Sequence, residues 1–461
     1  MPSEGTRYRT YWFRVPFTRF RVADTSMTAQ RGVLSLAAPA LVVLAAEPLY
    51  LLVDTAVVGH LGSIPLAALA LGGGAFAFSA FQFNFLAYGT TSAAARRFGA
   101  GDAEGARGQG VQASYLAVGI GLAMIVLFQL FADPITRTLA GGAGTVQAEA
   151  ELWLRIASLG APMVLLTLAG NGWMRGVQDT KRPLRFALIA NVVSAVLCPL
   201  LVYPAGMGLA GSAVANVVGQ SLGAALFVTA LLHDTDRRRP DREVLRSQIV
   251  MGRDLAIRNL VLQGSFLVAA GVAARIGTAE VGAHLIALQL WLFLALVLDS
   301  FAIAAQSLVG ESLGASRLDE ARATAWRVAR YGTVTGVVVA VLLLLGRDAI
   351  PQLFSSDPDV LAGAATIWWW FALMQPFAGL VFALDGVLMG SGDVAFLRTL
   401  TLTAGLLGFL PLTLLSIPLG LGLNGIWAGI TALILIRLVG GCLRVRGGRW
   451  AVGGSGVRSA G

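Results

Sequence analysis

The chain has 461 residues, 56% hydrophobic and only 13% charged, with a net charge of +9 and a mean hydropathy of +0.74. A soluble domain needs a far more polar surface, so the composition excludes one and points to an integral membrane protein. The basic balance, with a pI near 10.3, lies in Arg clusters beside apolar runs; topology and lipid contact account for it, and no nucleic acid is expected as a partner.

Residues 1–31 form a basic tail carrying Arg7, Arg9, Arg14, Arg19, Arg21 and Arg31. The tail lacks the apolar core of a cleavable signal, and Met27 is an alternative start. Twelve apolar runs follow, near the roughly 20 residues that cross a bilayer as a helix. They cover 33–57, 66–94, 111–131, 148–174, 186–202, 209–232, 255–276, 281–308, 328–345, 361–389, 399–417 and 421–439. The expected fold is therefore all-α and polytopic, with twelve transmembrane helices. Basic loops, "ARRFGAGDAEGARG", "RGVQDTKRPLR" and "HDTDRRRPDREVLR", alternate with loops poor in Arg and Lys, "GHLGSIP", "YPAGMGLAG" and "GRDAIPQLFSSDPDV". Short basic loops stay in the cytoplasm, which puts both termini there. A monomer in a bacterial inner (plasma) membrane is expected, with membrane lipids around it.

The chain also matches itself. Gly62 pairs with Gly277 and Gly99 with Gly314 at an offset of 215, and "FGAGDAEGARG" aligns with "LGASRLDEARA" without a gap. After a one-residue slip the offset is 214, pairing Pro162 with Pro376, Gly176 with Gly390, Asp179 with Asp393 and Gly211 with Gly425. Six helices per copy is an even number, so the copies enter the membrane alike and form two parallel lobes around a central cavity. The expected units are a tail 1–31, an N-lobe 32–232, a cytoplasmic linker 233–254, a C-lobe 255–440 and a tail 441–461. Most repeated Gly and Pro residues are scaffold, because Gly lets helices approach closely and membrane helices tolerate Pro.

Ionisable side chains inside spans are costly and usually face a cavity or a partner. Those singled out are Glu47, Asp54, Asp299 and Asp385, with Arg258 close to a helix start. Asp299 has Asn84 as its repeat counterpart and Asp385 has Asn171. This symmetric set suits either hydrogen bonds closing the inner mouth or helix-end capping. Asp54 and Glu47 map onto Ala269 and Leu262, so these acids exist in one lobe only. Seven residues apart, they share one face of the first helix, and Pro48 between them favours a kink. At about 1.5 Å per residue Glu47 falls near mid-membrane and Asp54 in the outer half. A hydrogen-bonded structural acid is the alternative to a proton-exchanging one.

The runs "LVDTAVVGHLG", "RGVQDTKRP" and "MGSGDVAFLR" within the doubled plan resemble the multidrug and toxic compound extrusion (MATE) family. "RNLVLQGSFLVAAGVAARIG" and "LDSFAIAAQSLVGESLGA" resemble its DNA-damage-inducible F (DinF) branch. The resemblance covers nearly all of 30–445. It implies secondary active export of small cationic or amphipathic compounds by alternating access, driven by protons or sodium ions, with Asp54 at the position of the coupling acid; the branch favours protons. Where the family commonly shows Asn, three residues, then Asp before a Pro, this chain reads "SAVLCP", placing Ser194 and Cys198 there. Asn216 on the sixth helix and Asn191 on the fifth could support substrate or coupling, bonding to Asp54. A hard cation wants several oxygen ligands, so sodium, metals and other cofactors are not expected.

A lipid-linked saccharide flippase is the alternative within the superfamily; its phosphates would need interior Arg or Lys, and only Arg258 approaches the interior. An intramembrane enzyme is disfavoured. His60, His233 and His284 lack metal-ligand spacing, and no Ser or Cys has a nearby base.

Overall fold

The computed structural model describes residues 32–235 and 239–454. The tail 1–31 with Met27, residues 236–238 of the expected linker and residues 455–461 lie outside the described residues. Every regular element among the described residues is helical. Among the described residues ten helices are long and apolar enough to cross a membrane, and two bent pairs, each counted as one span, make twelve: α1 Val33–Gly59, α2 Ser63–Gly99, α3 Ala103–Leu139, α4 Thr145–Ser158 with Ala161–Gly176, α5 Lys181–Val202 and α6 Leu209–Asp234. The second half adds α7 Arg242–Ile276, α8 Thr278–Gly314, α9 Leu318–Leu345, α10 Pro358–Leu373 with Gln375–Gly390, α11 Val394–Leu414 and α12 Gly422–Arg446. Leu122, Val126 and Leu130 on α3 and Val334, Val338 and Leu342 on α9 are exposed, as expected of helix faces that meet lipid.

Several helices outrun their apolar cores. The run expected at 111–131 is the middle of α3, whose polar first turns begin at Ala103 behind the Asp102 cap. The expected linker is shortened most. Asp241 accepts from the Glu243 and Val244 amides at 3.0 and 3.2 Å, an N-cap that starts α7 thirteen residues before the expected boundary at 255. Arg258 is therefore inside α7 and not near a helix start. α12 likewise continues beyond residue 440 to Arg446. Hydropathy finds the part of a helix in lipid, and caps decide where it ends.

α1 is one helix across both Pro39 and Pro48. The marked bends fall instead in α4, by 49°, and in α10, by 47°, at positions related by the repeat. Gly121 of α3 lies against the backbone of Pro162, and Gly336 of α9 against that of Gln375 and Pro376. A side chain at either Gly would push the bent helix away. The repeat thus reproduces the contact that supports each bend.

The halves pack through α1, α2, α3 and the later segment of α4 on one side and α7, α8 and the later segment of α10 on the other. The segments Ser63–Phe81, Thr145–Ser158 and Pro358–Leu373 take no comparable part. Contact is therefore concentrated at one face. This basic face carries the turns 100–102, 177–180, 315–317 and 391–393 and the end of α12. Here α2 and α8 cross so closely that Gly99 lies on the Glu311 backbone and Gly314 on that of Arg96, a reciprocal contact about a pseudo-two-fold axis. Ser92 donates to the Met389 carbonyl, and its counterpart Ser307 donates to the Arg175 carbonyl at 2.8 Å. Residues 447–454 fold beneath the crossing: buried Trp450 donates to the Val445 carbonyl at 2.9 Å, and Arg96 reaches the carbonyls of Val452 and Gly454. The expected C-terminal tail is in this part a strap touching both halves, since the Gly454 amide donates to Leu313 of α8 at 3.1 Å.

Candidate functional site

A cavity of about 940 Å³ lies between the halves. Its walls are largely aromatic and aliphatic, with Phe78, Phe81, Trp153, Phe266, Trp291 and Phe382 among them. Against this apolar background stand four carboxylates, Glu47, Asp54, Asp299 and Asp385, and three arginines, Arg175, Arg258 and Arg437. A large apolar pocket with few polar anchors is the usual form of a small-molecule site.

The N-terminal half supplies a ladder of polar groups along α1. α1 and α5 run in the same direction, so residues seven apart on each differ in depth by about 10 Å. Asp54 is buried at 1% exposure. The Cys198 thiol donates to its Oδ1 at 3.1 Å, and the Ser212 hydroxyl, which accepts from the Trp153 indole at 3.2 Å, faces the same carboxylate. Buried Tyr50 comes next, beside Asn216. Two turns below Asp54, Glu47 accepts from the Gln220 amide at 3.4 Å. The expectation that Asp54 bonds to Asn191 and Asn216 is thereby corrected: the two asparagines lie at rungs below it, nearer the cavity floor. Asn191, seven residues before Cys198, donates to the Ala187 carbonyl at 2.9 Å. Ser194 turns to the Ala215 carbonyl at 3.2 Å. Ser194 and Cys198 thus hold α5 to α6 and α1, and Cys198 meets the acid as a donor.

The cavity floor, towards the basic face, gathers Asn84, Asn171, Asp299 and Asp385. None caps a helix end: Asn84 lies in the 3-10 turn Gln82–Asn84 inside α2 and makes no cap bond, and both acids are well within α8 and α10. The Tyr88 hydroxyl donates to Asp299 across the halves at 2.8 Å. Nearby, Gln82 donates to Gln263 of α7 at 3.0 Å, and Gln306 donates to the Tyr88 carbonyl at 2.5 Å. Asp385 forms ion pairs with both Arg258 and Arg437 through one oxygen, Oδ2, tying α7, α10 and α12 together.

The reading that interior charge is acidic apart from Arg258 is overturned. Arg175 and Arg437 also line the cavity. Arg437 was visible as a lone charge within the run 421–439, whereas Arg175 sits at the end of α4 where its motif reads as a loop. That motif, "RGVQDTKRP", is largely structural: Asp179 caps α5 through the Arg182 amide at 3.1 Å and pairs with Arg182. Its counterpart Asp393 pairs with Arg444 at 2.7 Å. Buried His284 packs edge-on to Trp427. Among the described residues no group of His, Cys, Asp and Glu could hold a metal ion.

Residues 39–200 and 255–414 match the MatE family model. The chain is 32% identical to Protein DETOXIFICATION 44, chloroplastic, of Arabidopsis thaliana, over 91% of this chain and 83% of that one. It is 29% identical to DNA damage-inducible protein F of Escherichia coli, over 85% and 86%. A crystal structure of MATE in the bent conformation superposes with a TM-score of 0.84 at 22% identity, covering 90% of this chain and 95% of the other.

Proposed function

The chain belongs to the MatE family, whose members are transporters and not enzymes, and on that premise we propose that it exports small cationic and amphipathic compounds in exchange for protons. The observation that carries this reading is Asp54: buried on α1, facing the cavity, and present in one half only, since its counterpart is Ala269. Alternating access is supported by the packing, in which the halves hold each other mainly at the basic face. We place the basic face in the cytoplasm, by its arginines, and the protein in a bacterial inner membrane.

With all four carboxylates ionised, they outnumber the three arginines of the cavity. Protonation of Glu47 and Asp54 from outside reverses that balance, so the cavity repels the cation it held. A ligand shifts a conformational equilibrium only through its different affinity for the two states, and the proton does so here by changing the sign of the site. Sodium is a poor substitute, because Cys198 and Ser212 offer one oxygen beside Asp54 where a hard cation wants several. In everted vesicles, Asp54→Asn abolishes proton-driven uptake of a cationic dye while dye binding persists; full transport by this variant overturns the reading.

A second reading is favoured by the arginines themselves: phosphate recognition, as a lipid-linked saccharide flippase would need. Movement of such a lipid across proteoliposomes, with cationic dyes left unmoved, would select it.

A further inference from the structure

The acids of the N-terminal half serve a cation. That scheme uses the arginines at the other end of the cavity only through their summed charge, which does not require them to be gathered in one place, and Arg175 has no ion pair among the described residues. We propose that the floor of the central cavity is an anion-binding subsite, formed by Arg175, Arg258 and Arg437, which takes the carboxylate or phosphate of a zwitterionic amphiphile whose cationic group lies towards Glu47. The inference rests on the cavity being the substrate site and adds the class of substrate.

Three observations support it. The arginines are buried, at 6%, 9% and 4% exposure, yet line the cavity; a buried guanidinium left uncompensated is costly, and its planar fork suits an oxyanion. The compensation present is incomplete. Asp385 offers one oxygen to both Arg258 and Arg437, and Asp299, the acid nearest Arg175, already receives the Tyr88 hydroxyl. Three cations thus face two carboxylates, and the buried Arg258 Nε has no partner. Finally, Glu47 with Gln220 and the arginine floor stand on different helices of one cavity, which Phe266, Trp291 and Phe382 also line as an apolar wall for the body of a ligand. A purely structural role explains the Arg258–Asp385–Arg437 triad, which joins three helices, but not the guanidinium of Arg175, whose contact across the halves is made by its backbone carbonyl.

The test compares a rhodamine bearing a free carboxylate with the methyl ester of the same dye, by fluorescence polarisation on the full chain in maltoside micelles, which carry no phosphate or carboxylate. The free acid is expected to bind about tenfold more tightly than the ester, and Arg175→Gln to abolish that preference by weakening the acid while ester affinity does not fall. Retained ester binding shows that the variant is folded. Adding phosphatidylglycerol separates the sources: selective loss of acid binding assigns the subsite to a lipid phosphate, and no loss assigns it to a soluble carboxylate. Equal binding of acid and ester by the wild-type protein overturns the proposal whether or not the variant folds, as does equal weakening of both by Arg175→Gln. Binding needs no gradient, so intact preference without transport counts against export and not against the subsite.

Discussion

Asp54 and Glu47 share a helix face but have different neighbours, and the difference separates their roles. Asp54 is enclosed by a thiol and a hydroxyl that donate to it; Glu47 looks into the cavity with one weak amide partner. Glu47→Gln should lower the affinity of cationic substrates about tenfold and leave neutral ones unchanged, measured by equilibrium binding. Loss of both would indicate a folding defect. Asp54→Asn should leave binding measurable and remove gradient dependence. The acids were legible in the sequence because an ionisable group in lipid has few innocent explanations. Ser212, Tyr50 and Tyr88 were not, since hydroxyls are common in spans and only packing shows which carboxylate they meet. Arg437 was legible on the same ground, as the one charge in its apolar run.

At the scale of helices, the basic-face closure is made by backbone contact. Gly314→Leu would drive a side chain into the Arg96 carbonyl, and overpacking at such a site costs about 1–3 kcal/mol. The expected outcome is separation of α2 from α8 and faster labelling, from the basic side, of a cysteine placed at Asn84. Unchanged labelling would show that the crossing does not hold the mouth shut. Tyr88→Phe tests the same closure by removing one bond to a carboxylate, about 2 kcal/mol, and should move labelling in the same direction by less. α1 joins these events to the acids: it packs on α8 of the other half as well as on α5 of its own, so repacking around Asp54 is felt at both.

For the whole molecule, a sodium gradient at clamped pH should drive no dye movement in proteoliposomes, whereas a proton gradient should; sodium-driven movement would require oxygen ligands that α5 does not provide. The twelve spans and the doubling were readable because lipid imposes a length and a hydropathy on each helix. The bends at Pro162 and Pro376, the early start of α7 behind Asp241 and the strap around Trp450 were not readable. They depend on a cap, a Gly–Pro contact and a buried indole, each local in chemistry and decided by what folds against it.

The reciprocal crossing of Gly99 and Gly314 has a consequence for ancestry and assembly. A contact in which position i meets j while the counterpart of j meets that of i is the signature of a two-fold homodimer interface. One half of this chain is thus built as a protomer whose twin has been tied to it through the short stretch before Asp241. Severed there and co-expressed, the two halves should find each other in the bilayer, whereas the N-terminal half paired with a copy of itself would carry Asp54 on both sides and meet like charge across the cavity.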